Sequence, residues 1–343
     1  MNWEKAQLES YVESQLKSKL GNNKGDEYFA AYASARAKVL PEIKQIQGVE
    51  PGLSDHGPDH IADVMKQVLA IISSDEKVHV LSALDLYILL LAVLFHDVGN
   101  LYGRTNHNQR IAEVYDFARG RHANVRREKS LVLRAAQAHT GRSSAGDTNT
   151  LIELNDKEHF DGEIIKLQSI AAILRFADEL AEGPQRTTEF FRTNVGYKDS
   201  QVWHQYASCT NIAVDRSNGR ICLTYEIELQ EYRSLNNDID RPRLLQLLAQ
   251  IRSRISKLDQ ERRYTRYYCD LLSVFKKTES RLNFWSNGLL LPLEFAFDLD
   301  DLVVPGSSSE IATDIAAQKF GATEALADRL DVVLRAMEQN HEN

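Results

Sequence analysis

The feature that most constrains the fold is an apolar run, Leu86 to Phe95 (LYILLLAVLF), that ends in His96-Asp97 and continues as Val98-Gly99-Asn100. The run is too short to span a bilayer, which takes about 20 residues, so it is predicted as a buried helix of a globular chain. Such a helix carries an imidazole and a carboxylate into the interior. Burying a carboxylate there costs on the order of several kcal/mol unless a cation neutralises it. A divalent metal ion would do so, and the rest of the chain must then supply more ligands. Neighbours on a helix point about 100° apart. His96 and Asp97 can therefore converge only where the helix ends, and Gly99 is expected to end it.

The 343 residues are 43% hydrophobic and 26% charged, as in an ordinary globular protein. The net charge of −8 argues against broad nucleic-acid binding. It leaves room for a small anionic substrate, because a metal reverses the local field. Cys209, Cys222 and Cys269 are scattered and form neither a disulfide framework nor a C-x-x-C pair. With no signal-peptide core at the N-terminus, this fits a cytoplasmic protein with no membrane partner.

Hydrophobic spacing predicts helices over 2–20 and 26–46, with Pro41 breaking or kinking the second. A Gly/Pro loop (47–58) precedes helices at 59–73, 81–98, 106–119 (Ile111, Val114 and Phe117 inward) and 125–139. A polar, mobile loop spans 141–161, and a second apolar helix spans 162–182. Strands are predicted at 201–207, 210–215 and 221–229, the last two joined by the Asn218-Gly219 turn. Residues 242–282 read as helix. Its Leu244, Leu248, Ile251, Ile255 and Leu258 are spaced for packing on a neighbour or on a second copy of the chain. Two helices around Gly321 (308–339) follow the acidic segment 298–306. The expected class is mainly α. Residues 1–49 form an N-terminal helical cover, 50–190 the core, and 191–343 an extension with a small β insert and long helices.

Four of the ten histidines occupy comparable places. His60 and His107 begin helices and lie over Val64/Val68 and Ile111/Val114. His96 and His139 end helices. Asp178 shares a face with Leu167, Ala171 and Leu174. One histidine on an apolar face is ordinary core, and a buried aspartate is rare unless paired. Four histidines and two aspartates along one helical segment point to a shared metal centre. The N and O donors, with no thiolate, suit Mn, Fe, Co, Ni, Zn or Mg, as one or two ions. Asp97 has two oxygens and can bridge. His56, four residues before His60, reads as an outer ligand or proton shuttle, or as a loop residue capping the helix.

His60…His96-Asp97…Asp178, in the contexts HGPDH, LAVLFHDVGN and ILRFADEL, resembles the H…HD…D signature of the HD-domain metal-dependent phosphohydrolase superfamily over roughly residues 50–190. RFADELAEGPQRT followed by a β insert containing VWH resembles its HD-CE-type subgroup. The resemblance implies an HD-type helical core. In it His60, His96, Asp97 and Asp178 hold a first metal, Asp97 bridges, and His107 and His139 hold a second. Asp97, His107 and His139 become the catalytic part, and the implied reaction is hydrolysis of a phosphoester or phosphoanhydride in a nucleotide by a metal-bound bridging hydroxide. Two departures stand out. Asn100 occupies a place where many relatives have lysine. There is no GYP motif and no second adjacent histidine near His139, which speaks against the cyclic-di-GMP phosphodiesterases that carry them.

Arg104, Arg142 and Arg186 lie near His107, His139 and Asp178 in sequence, Arg104 three residues before His107; each could hold substrate phosphate, and each reads equally as a solvated surface charge. Arg175 and Glu179 read as an ion pair flanking Asp178. The run RRYTRYY (262–268) mixes basic and aromatic residues as single-strand binding surfaces do, and keeps a metal-dependent nuclease as an alternative. On an amphipathic helix it is an ordinary packing face. Trp203 and His204 are candidates to line a pocket. A sensor or scaffold that binds a nucleotide without turnover is the other alternative. The C-terminal extension suggests a homodimer or a protein partner.

Overall fold

A computed structural model describes residues 3–49, 56–73, 81–105, 107–189, 200–231, 240–301 and 315–341. Residues 50–55 of the expected loop 47–58 and the end of the 298–306 segment lie outside the described residues. The chain divides into two compact units: Met1–Ala181 with Tyr264–Val274, and Glu182–Arg263 with Phe275–Asn343.

The first unit is built around α5 (Ala83–Phe95), every residue of which is buried. Its start is fixed by a capping box. Ser82 Oγ accepts from the Asp85 amide at 3.1 Å, and Asp85 Oδ2 accepts from the Ser82 amide at 2.8 Å. Asp85 Oδ1 also accepts from the Lys166 amide at 2.8 Å, tying the start of α5 to the segment ahead of α8. Around α5 pack α1 (Gln7–Leu20), α2 (Asn22–Ile43), α4 (Pro58–Ile72), α6 (Ile111–Arg119), α7 (Arg126–Gln137) and α8 (Leu167–Leu180), with α3 a single turn at Ile46–Val49. Ala83–Tyr102 is the one segment among the described residues that could cross a membrane by length and composition. Its most apolar 18-residue window is 94% buried inside the chain, the environment of a core helix.

Several local expectations need correction. Helix α2 runs through Pro41 to Ile43, because a proline in the last turn removes only one helical hydrogen bond. Phe117 is exposed, not inward, while Val114, Tyr115 and Ala118 are buried. Residues 162–166 are not helix. Asp161 and Gly162 both adopt positive φ and make the two-residue turn of a hairpin, β1 (Glu158–Phe160) with β2 (Glu163–Ile165). The loop after His139 is tied down. Arg175 donates to Thr150 Oγ1 at 2.9 Å and lies 4.7 Å from the Tyr264 ring. Thr150 donates to the Ala138 carbonyl at 2.6 Å. Tyr264 Oη accepts from the Leu151 amide at 3.0 Å and donates to Asn149 Oδ1 at 3.0 Å, and Tyr268 Oη donates to the same oxygen at 2.7 Å.

In the second unit, residues 201–207 are helical, not a strand. They belong to α9 (Gln201–Cys209), which buries the consecutive residues His204, Gln205, Tyr206 and Ala207. The strands β3 (Thr210–Asp215) and β4 (Arg220–Glu228) follow. The long helix α10 spans Asp240–Tyr268, and the chain returns as β5 (Lys277–Ser286), where helix was expected. β5 buries Thr278, Ser280, Leu282 and Phe284. Two of these are polar, which hides the period-two pattern from a hydrophobicity reading. β4 and β5 are parallel, with Tyr225 opposite Leu282; β3 pairs antiparallel with β4, and β6 (Leu289–Leu290) and β7 (Phe295–Asp300) pair antiparallel with β5. The parallel pair requires a crossover, and α10 lies in it. The tail is α11 (Ile315–Phe320) and α12 (Thr323–His341).

The regular apolar stripe of α10 is core. Leu244, Leu248, Ile251, Ile255 and Leu258 are all buried within the single chain, so it is not a free surface for a second copy. Arg262 of the RRYTRYY run is fully buried. It donates to Asp259 Oδ1 at 2.8 Å and to Asp301 Oδ1 at 3.1 Å, and its Nη1 donates to the Phe275 carbonyl at 3.0 Å. It is therefore a structural cation that cannot reach a nucleic-acid backbone. Replacing Arg262 by alanine deprives Asp259 and Asp301 of their fully buried cation, leaving the buried Asp259 with Arg263 at 2.8 Å and Thr278 at 2.9 Å. The variant should lose about 3–5 kcal/mol in urea unfolding followed by tryptophan fluorescence.

Candidate metal centre

The HD turn takes its shape from the end of α5. The helix stops at Phe95, His96 is its C-cap, and Asp97 adopts φ −106°, ψ 0° before the 3-10 turn Val98–Tyr102. Gly99 sits inside that turn without positive φ, so it does not end the helix as expected. The bend at His96-Asp97 brings both side chains to one point.

Three histidines share one orienting device. The His96 Nδ1 donates to the Val93 carbonyl at 2.9 Å, the His107 Nδ1 to the Arg104 carbonyl at 3.1 Å, and the His139 Nδ1 to the Ala136 carbonyl. Each acceptor lies three residues earlier in the chain. A carbonyl only accepts, so each Nδ1 carries the proton and each neutral ring presents its Nε2 lone pair inward. That is the tautomer a metal-binding imidazole needs. His60, in the first turn of α4, is buried and reaches the same point with its Nε2.

The nitrogens surround the two oxygens of Asp97 in two groups. Oδ2 lies 3.4 Å from His96 Nε2, 3.6 Å from His60 Nε2 and 3.9 Å from His56 Nε2. Oδ1 lies 3.3 Å from His107 Nε2 and 3.7 Å from His139 Nε2. Asp178, from α8, closes the first group, with Oδ1 3.2 Å from His60 Nε2 and 3.5 Å from His96 Nε2. Two sets thus have all their donor atoms mutually within 4.8 Å: His60, His96, Asp97 and Asp178, and Asp97, His107 and His139. Asp97 belongs to both. The six side chains singled out in the sequence are brought together.

The residues present fit a divalent ion. Nε2 of His60, His96 and His107 are buried and have no hydrogen-bond partner, and neither has His60 Nδ1. Buried nitrogens with nothing to bind are rare in folded chains, and a cation satisfies several at once. The Asp178 side chain is 26% exposed against 5% or less for His60, His96 and Asp97, so this group opens to solvent on the α8 side.

The electrostatics point the same way. Burial alone would raise the Asp97 carboxyl, but the imidazoles of His96, His56, His107 and His60 outweigh it and hold it well below the usual carboxylate range. Asp178 is also pushed up by burial and held well below that range by His60 and His96. His96 is disfavoured as a cation by burial, yet Asp97 and Asp178 raise it well above the usual imidazole value. His139 moves the other way, down to about 4, through burial and then the charge of His96. The shifts of Asp97, Asp178 and His96 share one cause: each carboxylate favours positive charge beside it, which is what a bound cation would supply.

The arginines fare unequally. Arg104 Nη1 lies 3.4 Å from both His56 Nε2 and Asn100 Oδ1, at the edge of the centre. Asn100 is buried and its Nδ2 donates to the Asp97 carbonyl at 3.0 Å. Arg142 donates to the Gly146 carbonyl of its own loop at 2.6 Å. Arg186, in the turn Pro184–Arg186, belongs to the second unit. His204 is buried against Thr187 at 2.9 Å and Trp203 is half-exposed on α9. The sequence did not reveal Asn108, whose amide ties the turn of His107 to the end of α7. Only the fold places those backbone carbonyls within its reach.

Compared with known proteins, the chain matches the sequence model of one family, described as HD-CE, over residues 50–257. No curated protein and no solved structure matches it. The match covers more than half of the chain and contains all six side chains of the centre, so the chain belongs to the HD-CE family.

Proposed function

We propose that this protein is a metal-dependent phosphohydrolase that cleaves a phosphoester or phosphoanhydride bond in a nucleotide, in the cytoplasm, with a centre for two ions. The observation that carries this reading is the division of the Asp97 oxygens between two sets of imidazole nitrogens. A carboxylate that serves two donor sets at once is suited to bridging. Mn, Fe, Co, Ni, Zn and Mg all suit the nitrogen and oxygen donors. When bound, such ions supply Lewis acidity that polarises phosphoryl oxygens and lowers the pKa of water toward neutrality.

The chain's own residues do the rest. The three backbone-anchored imidazoles keep their lone pairs fixed toward Asp97, so no reorientation is needed as charge develops. Asp178 marks the exposed side, from which a phosphate reaches the centre. Arg104 supplies positive charge beside it. Where many relatives of the wider superfamily have lysine, Asn100 instead accepts from Arg104 while holding the Asp97 backbone, so the cation comes from four residues further on. A nuclease reading loses one of the three arginines of its basic-aromatic run with the burial of Arg262.

Elemental analysis of the purified chain should find close to two equivalents of a divalent metal. The double variant His96→Ala, Asp97→Ala should be empty, and unchanged content would remove the site. Because His96 is raised well above the usual imidazole value, binding must displace its proton. Affinity should fall as pH is lowered, by about tenfold per unit for each proton released. Titration calorimetry in buffers of different ionisation heat would count those protons. A panel of mono-, di- and cyclic nucleotides with added manganese should release phosphate or nucleoside. Arg104→Ala should lower kcat/KM about tenfold or more while leaving metal content intact. Tight nucleotide binding with no product would instead indicate a sensor.

A further inference from the structure

His107 and His139 reach Asp97 from different elements, and two contacts fix where their rings lie. Gly99 follows Asp97 by two residues. A Cβ on it would fall 1.8 Å from the carbonyl oxygen of His107, 2.6 Å from the carbonyl carbon and 3.1 Å from its Cα. The obstacle is backbone, so no rotamer change relieves it. That carbonyl is also engaged, accepting from the Arg110 amide at 3.0 Å. Gly99 has no positive φ, so the glycine is required for space and not for backbone conformation.

The second contact is at Asn108. Its Nδ2 donates to the carbonyls of Gln137 and Thr140, both at 3.3 Å, one on each side of His139 in the chain. Gly141 leaves room for it: a Cβ there would lie 2.7 Å from Nδ2. The turn of His107 is thus seated on the HD turn through a missing side chain and clasped to the end of α7 through an amide. Neither contact involves α4 or α8, which bring His60 and Asp178 to the other group.

We propose that Gly99 and Asn108 are positioning residues that set the Asp97–His107–His139 group independently of the His60–His96–Asp178 group, and so decide whether the centre holds two ions or one. The inference rests on the two-ion reading above. Its test is manganese(II) titrated into the metal-free full-length chain. Paramagnetic resonance reads free ion and the exchange-coupled signal of a manganese pair, alongside thermal melting of the metal-free proteins. The wild type should take up two ions and show the coupled signal. Gly99→Ala should keep the tighter ion at wild-type affinity, bind the second at least about tenfold more weakly and lose the coupled signal. Asn108→Ala introduces no clash and should weaken the same ion in the same selective way. It decides the matter alone if Gly99→Ala does not fold. Two ions at wild-type affinity in the variants would overturn the inference while leaving the two-ion centre standing. So would a parallel loss of both ions that tracks the melting temperature, as a merely structural role predicts. A wild-type chain that binds a single ion would overturn the two-ion reading and the inference with it.

Discussion

The structure depends on one carboxylate held where a carboxylate should not be. Asp97 lies at the end of the most apolar helix in the chain, and everything that makes its burial tolerable is nitrogen from elsewhere. The unit around α5 can be viewed as a scaffold that delivers those nitrogens. Helix α4 brings His60, the turn before α6 brings His107, the end of α7 brings His139, and α8 brings the second carboxylate. The same geometry is one that could hold a cation.

Rigidity in the centre comes from helix ends. The last carbonyls of a helix lack intrahelical partners. Here those of Val93 and Ala136 accept from the histidine that follows in the same turn. A single contact satisfies the backbone and locks the ring. For His96 and His139, the end of the helix is where a carbonyl is within reach to orient the ring.

The parts of the fold written in hydrophobic period were legible. The α5 run and the faces of α4, α7 and α8 follow from spacing alone, and the six side chains that the fold brings together stand out along the same segment. What was hidden depends on partners distant in the chain. β5 presents threonine and serine to the interior, because Thr278 bonds to Asp259 at 2.9 Å, so its alternation carries no apolar signature. The burial of Arg262 is hidden because three of its partners, Phe275, Thr278 and Asp301, lie 13 to 39 residues further on. The role of Gly99 was misassigned for a similar reason. A glycine near a helix end suggests a cap, whereas here the requirement comes from a backbone eight residues later. Asn100 was visible as a departure, and only the fold reveals that it engages Arg104.

The first unit is discontinuous. Its α helices up to Ala181 are joined by Tyr264–Val274, and Tyr264 and Tyr268 complete the hydrogen bonds of Asn149 and Leu151 in the loop after His139. The chain therefore cannot finish this unit as it leaves the ribosome. The apolar core around α5 is synthesised long before the two tyrosines that fasten the loop beside it, and residues of the second unit intervene. Closure of the loop joins residues 113 to 119 apart in the chain, and it sets a minimum length for any fragment meant to retain the loop's clasp. A cut made at the end of the helical core, or at residue 257 where the family match stops, would retain every ligand and discard the clasp on the loop that follows His139.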